Sequence, residues 1–164
     1  MRAFVAQPFI VSGSSMEPNF HNGEYLIVNE LDYRFHEPKR GDIIVFKYPL
    51  NTKEYFIKRV IGLPGEQVKV SAGKVIITNK RHPQGFVLDE NYLTSNDITF
   101  PYTAADADIK LGPNQYYVMG DNRLASDDSR FWGPVPAKDI VGRVSVRIFP
   151  FQNFSFFPAP YYKN

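Results

Sequence analysis

What most constrains this chain is the way its apolar residues are parcelled out. They come in short runs rich in β-branched and aromatic residues, cut every few positions by Gly, Pro, Asn or Asp. That is the pattern of strands bounded by turns. Thirteen prolines and 25 aromatic residues (14 Phe, 10 Tyr, one Trp) in 164 push the same way, because Pro breaks helices and aromatic rings favour strands. The chain is therefore expected to be all-β, built of antiparallel sheets with very little helix. Predicted strands cover 9–12, 24–29, 42–48, 55–63, 67–71, 74–78, 115–119 and 142–149, with a single helical turn near 136–140.

Val68 and Val70, then Val75 and Ile77, alternate on either side of Ser71-Ala72-Gly73, which reads as a hairpin with one buried face. Beyond it, to about Leu111, the text turns polar and irregular. The expected organisation is a core formed by 1–65 and 114–164, with 66–113 inserted as a small second β lobe; the length suits one domain of ordinary size carrying such an insertion.

Composition removes several function classes. Lys+Arg number 19 against 17 Asp+Glu, a formal charge of +2, too balanced to point to nucleic acid. With no Cys, disulfides, thiolate metal sites, iron–sulfur clusters and thiol catalysis are excluded. His21, His36 and His82 all lie in polar or turn-like stretches, a poor source for a zinc site or a histidine base. No phosphate loop or dinucleotide fingerprint occurs, and no cofactor is expected. No apolar run approaches the length of a bilayer span, and the mean hydropathy is −0.31.

Four stretches are denser in special residues than folding requires. Ser12-Gly13-Ser14-Ser15-Met16-Glu17-Pro18 can turn tightly and leave a hydroxyl exposed beside free N–H groups, as a nucleophile with an oxyanion hole needs; it also reads as an ordinary Ser/Gly loop before a Pro turn. In Tyr55-Phe56-Ile57-Lys58-Arg59-Val60-Ile61, a lysine sits inside an apolar strand. Burial lowers a lysine pKa and would leave a neutral amine able to act as a general base, unless the side chain snorkels out. Gly120 to Arg130 runs from a strand into a turn crowded with hydroxyls and alternating charge; turn capping accounts for Asp121 and Asn122 better than for Ser126, Asp128, Ser129 and Arg130. Lys39-Arg40-Gly41-Asp42 reads as a turn opening a buried strand.

Together these stretches resemble the bacterial type I signal peptidases, the Ser-Lys serine endopeptidases (hydrolases) that remove signal peptides from exported preproteins. The resemblance rests on Gly-x-Ser-Met-x-Pro (Gly13 to Pro18), Arg-Gly-Asp before an apolar strand (Arg40 to Phe46), Lys-Arg-Val-Ile-Gly-Leu-Pro-Gly (Lys58 to Gly65) and Gly-Asp-Asn-Arg-x-x-Ser-x-Asp-Ser-Arg (Gly120 to Arg130), in the family's order. It implies that Ser15 is the nucleophile and Lys58 the general base. Ser126 would hydrogen-bond the lysine amine, and Asp128 and Arg130, with Arg59, would form a supporting charge network. Phe9, Val11, Gly13, Met16, Val45, Phe56 and Ile57 would bind substrate around two shallow pockets fitted to Ala-x-Ala sites. The oxyanion would rest on the Ser15 N–H, since Gly13 stands where some members carry a serine, and Asn19 follows Pro18 where a small Thr or Ala is usual.

The implied partners are signal peptides and a membrane surface, with no nucleic acid. The implied place is the outer face of the cytoplasmic membrane, with the family's N-terminal anchor trimmed from this sequence. Aromatic residues near the two ends, Phe4 and Phe9 at one and Phe149, Phe151, Phe154, Phe156, Phe157, Tyr161 and Tyr162 at the other, could rest at a bilayer interface. The competing reading is a catalytically weak or inactive relative serving in the assembly of surface proteins, although Ser15, Lys58 and Ser126 are all present.

Overall fold

A computed structural model describes residues 6–94, 98–102 and 108–157; Phe4, Tyr161 and Tyr162 lie outside them. The fold is mostly antiparallel β, as expected. The larger sheet contains β1 (Ala6–Ile10), β2 (Tyr25–Asn29), β3 (Ile43–Tyr48), β4 (Asn51–Gly62), β9 (Gln115–Met119), β10 (Val135–Pro136) and β11 (Ile140–Phe149) in the order β1-β2-β11-β3-β4-β9-β10, and β12 (Ser155–Phe156) pairs with β11. The smaller sheet is β5 (Gln67–Ser71), β6 (Lys74–Thr78), β7 (Phe86–Val87) and β8 (Asp108–Lys110) in the order β7-β6-β5-β8.

The hairpin forms as read. Ser71 opposes Lys74, so the turn is Ala72-Gly73, both at positive φ (51° and 75°). This is the two-residue connection whose twist matches its strands. Val68, Val70, Val75 and Ile77 are all buried, packed with Ile61, Tyr117 and Met119 of the larger sheet. At about 1.5–3 kcal/mol per fully buried aliphatic side chain, this contact fastens the small sheet to the large one. The continuous run Ile43-Ile44-Val45-Phe46 is buried on both faces of β3: Ile43 and Val45 join Val11, Met16 and Phe20, while Ile44 and Phe46 join Val60, Tyr116 and Val118.

Differences from the expectation are local. The β1 strand runs 6–10 rather than 9–12, and β4 begins at Asn51 rather than Tyr55, because its pairing with β3 continues as an exposed ribbon to Tyr48↔Asn51. The four strands of two or three residues were not anticipated. Besides the 3-10 turn at Ala137–Asp139 there are two short helices, α1 (Asp32–Phe35) and α2 (Ser129–Trp132), and a 3-10 turn at Phe151–Asn153. Side chains satisfy N–H groups at the start of both helices: Asn29 Oδ1, two residues before the α1 N-cap, accepts from Leu31 and Asp32, and Asp128, the N-cap of α2, accepts from the Arg130 N–H. No helix among the described residues is long and apolar enough to cross a membrane.

Candidate active site

At one end of the larger sheet, β1 and the first half of β4 flank a cleft of about 430 Å³. Among the described residues β1 pairs only with β2, and β4 is paired with β9 only from Arg59 onward, so both strands turn an open edge toward this space. Phe9, Val11, Val45, Phe56 and Ile57 line it, with Ser15 and Lys58 among them. Two residues expected in the pocket do not line it. Met16 is fully buried beneath it in the core, because the turn after Ser15 carries its side chain inward. Gly13 faces away, its N–H donating to Asn22 Oδ1. Ile10, Ser12, Leu26, Glu54, Tyr55 and Asp127 complete the lining; Ser12, Tyr55 and Asp127 fall in the stretches singled out above, whereas nothing in the sequence around Ile10, Leu26 and Glu54 marks them.

Lys58 Nζ donates to Ser15 Oγ at 2.8 Å and to the Ile57 carbonyl at 3.0 Å. The side chain is 5 % exposed, so the snorkelling alternative does not apply. Burial pushes the ammonium down from 10.5 to about 8, while Asp128, Asp127 and Asp121 pull it back up. At pH 7 this leaves roughly 300-fold more free amine than an unperturbed lysine would have. Among the described residues nothing accepts from the Ser15 N–H.

The loop after β9 holds this pair from behind. The Asn122 N–H donates to the Ser15 carbonyl and Asn122 Nδ2 to the Ser14 carbonyl. A Cβ on Gly120 would lie well inside van der Waals contact of the Ser15 carbonyl and the Ser126 side chain, so only glycine permits this approach. Ser126 is buried here, but its Oγ accepts from the Gly120 N–H at 3.1 Å rather than bonding the lysine amine. Asp128 takes the same N–H at 3.0 Å and binds the Arg130 guanidinium through both oxygens. Arg59 forms a two-bond pair with Asp121, which is fully buried, beside the Asp128–Arg130 pair. Asp121 thus does more than cap a turn, and it also accepts from Asn19 Nδ2 at 2.8 Å; the unusual residue after Pro18 is a linker between two parts of the site.

The antiparallel fold has solved relatives. A crystal structure of a signal peptidase I from Enterococcus faecalis V583 matches with a TM-score of 0.55 and 32% identity, over 67% of this chain and 98% of that one. The family model described as "Signal peptidase, peptidase S26" matches residues 1–149. The chain is 39% identical to a probable signal peptidase I-2 of Synechocystis (92% of this chain, 66% of that protein), 41% identical to a signal peptidase I of Leptolyngbya laminosa (92% and 72%) and 37% identical to one of Bacillus caldolyticus (95% and 86%). It spans just under two thirds of the Synechocystis protein. The chain belongs to the signal peptidase family, peptidase S26, whose members are membrane-associated serine endopeptidases acting on preprotein signal peptides.

Proposed function

We propose that this chain is a type I signal peptidase working through a Ser15–Lys58 dyad. The observation that carries the reading is the 2.8 Å contact between Lys58 Nζ and Ser15 Oγ, made by a buried lysine whose pKa is brought near the working range. Neutral Lys58 takes the proton of Ser15 as its Oγ attacks the scissile carbonyl. The oxyanion rests on the Ser15 N–H. Lys58 then gives the proton to the leaving amine, and water, deprotonated by the same amine, releases the acyl group. Asn122 and Gly120 fix the Ser15 peptide; Ser126, Asp128 and Arg130 fix Gly120; Arg59 and Asp121 brace the turn through Asn19.

The substrate is an extended peptide lying between the open edges of β1 and β4, pairing its backbone with them. Apolar walls from Phe9, Val11, Val45, Phe56 and Ile57 suit small residues of the Ala-x-Ala kind and exclude bulky ones by clash. Residues 1–65 and 114–164 make the catalytic core and 66–113 a second lobe, a division supported by a four-stranded sheet contained within 67–110. For the membrane surface on the outer side, the support is an aromatic group of Tyr25, Phe149, Phe151, Phe154 and Phe156, all exposed. Phe157 does not belong to it, being partly buried against Phe20. Nucleic acid has no place in this function.

The test is cleavage of a preprotein in detergent, with the cut located by mass spectrometry. Cleavage after a small-x-small site by the native chain, and none by Ser15→Ala or Lys58→Ala in folded protein, is expected. Full activity in either variant would remove the dyad, and an inactive native chain would favour the assembly-factor role. Liposome flotation should weaken when Phe151, Phe154 and Phe156 become Ser; flotation indifferent to that change would discard the aromatic contact.

A further inference from the structure

The loop that carries Gly120, Asp121, Ser126 and Asp128 leaves the sheet at Met119 and has no strand to pair with until α2 begins. Its outward side is held by a segment that the family motifs do not include. Tyr102 Oη donates a short hydrogen bond to the Ser126 carbonyl, and its ring lies against the Arg130 guanidinium at 5.3 Å and edge-on to Phe131. Two residues earlier, the Phe100 carbonyl accepts from Arg130 Nη1 at 3.1 Å. Thr99 Oγ1 accepts from Arg123 Nη1 at 2.8 Å, and Glu90 pairs with the same guanidinium. Arg123 in turn donates through Nε to the Gly120 carbonyl at 2.9 Å. Tyr92 covers the Arg59 guanidinium at 3.9 Å, and its carbonyl accepts from Asn19.

Three buried arginines of the catalytic side, Arg59, Arg123 and Arg130, thus each take part of their satisfaction from residues 90–92 and 99–102. Buried guanidinium groups that lose partners pull their surroundings out of place, and displacement of a reacting group by fractions of an ångström costs rate.

We propose that residues 90–92 and 99–102 form a clamp for the catalytic loop and that Tyr102 is its principal positioning residue. Resting on the dyad reading above, this gives part of the inserted region a share in catalysis without touching substrate. By gripping the Ser126 carbonyl, Tyr102 sets the peptide that orients the Ser126 hydroxyl toward Gly120, and through Gly120 it sets the carbonyl of the nucleophile.

The test uses the full chain with Tyr102→Phe, which keeps both ring contacts and removes only the hydroxyl. A peptide substrate gives kcat and KM, and a serine-directed acylating probe read by mass spectrometry gives the labelling rate at Ser15. Expected are a kcat about five- to tenfold lower, the scale set by one hydrogen bond of about 1 kcal/mol, KM within about twofold, and slower labelling by the same factor, with the melting temperature little changed. Thr99→Val, acting through Arg123, should lower kcat about threefold with KM likewise unmoved. Native kcat and labelling in both variants, or an effect confined to KM, would overturn the clamp. Probe that labels native protein elsewhere than Ser15 would instead sink the dyad, so the two failures can be told apart.

Discussion

Replacing Lys58 by Met should abolish cleavage and yet make the protein more stable at neutral pH. Lys58 is held near pKa 8 in the folded chain against 10.5 when unperturbed. The unfolded chain therefore binds a proton more readily, and folding below pH 8 carries a penalty. A difference of about 2.5 pH units at 1.36 kcal/mol each is about 3 kcal/mol at pH 7. Met fills a similar volume without a charge. It gives up the bonds to the Ile57 carbonyl and to Ser15 Oγ, worth about 1 kcal/mol each, which leaves a net gain of about 1 kcal/mol. As pH rises from 8 to 10.5 the native protein sheds the penalty, so its stability climbs relative to the variant; by pH 10 about 1 kcal/mol of penalty remains and the variant should be about 1 kcal/mol less stable than native. Urea unfolding of native protein and Lys58→Met in parallel at pH 7 and pH 10 measures the difference, with pH effects of the shared groups cancelling. A variant less stable at pH 7, or a gain that does not shrink toward pH 10, would refute the account of Lys58 as a buried, destabilised base.

Two further outcomes follow from the same geometry. The acidic limb of kcat should fall near pH 8, and Asp127→Asn should move it to lower pH, because the Asp127 carboxylate raises the Lys58 pKa; a pH–rate profile unmoved by that change would mean that another group sets the limb. Gly120→Ala should cost at least about 10²-fold in kcat, since the new methyl group pushes the Ser15 carbonyl and Ser126 apart, with about 1–3 kcal/mol of overpacking strain in urea unfolding; near-native kcat would show that the loop can yield.

What could be read in the sequence follows from the range of the forces involved. The 67–78 hairpin announces itself because a period of two and a two-residue turn are local. Lys58 was legible as a buried amine because its apolar neighbours lie in the same strand. Pairing of Arg59 with Asp121 was not, since those residues are 62 positions apart and Asp128 was an equally plausible carboxylate by spacing. Nor was the placing of Ser126, whose hydroxyl serves a backbone N–H six residues earlier in chain order. The small strands 86–87, 108–110, 135–136 and 155–156 owe their pairing to the neighbour each lies against, which no window of their own residues contains. Met16 belongs by sequence to a motif at the pocket, but its side chain packs into the core with Val11, Phe20 and Val45, contacts that lie outside the motif.

The open edges that frame the cleft also decide what the enzyme leaves alone. An unpaired strand edge attracts any extended chain, and proteins blunt such edges with proline and charge. β1 carries Pro8, and β4 opens on Asn51-Thr52-Lys53-Glu54, so neither invites a second copy of the same molecule along its full length. On the proposed function, what would remain receptive is a short slot beside Ser15, reachable by a polypeptide already drawn out straight. Discrimination would then begin with conformation, before any side chain is inspected: a folded cargo domain has no free strand to offer, and its own small-x-small sequences stay out of reach of the serine.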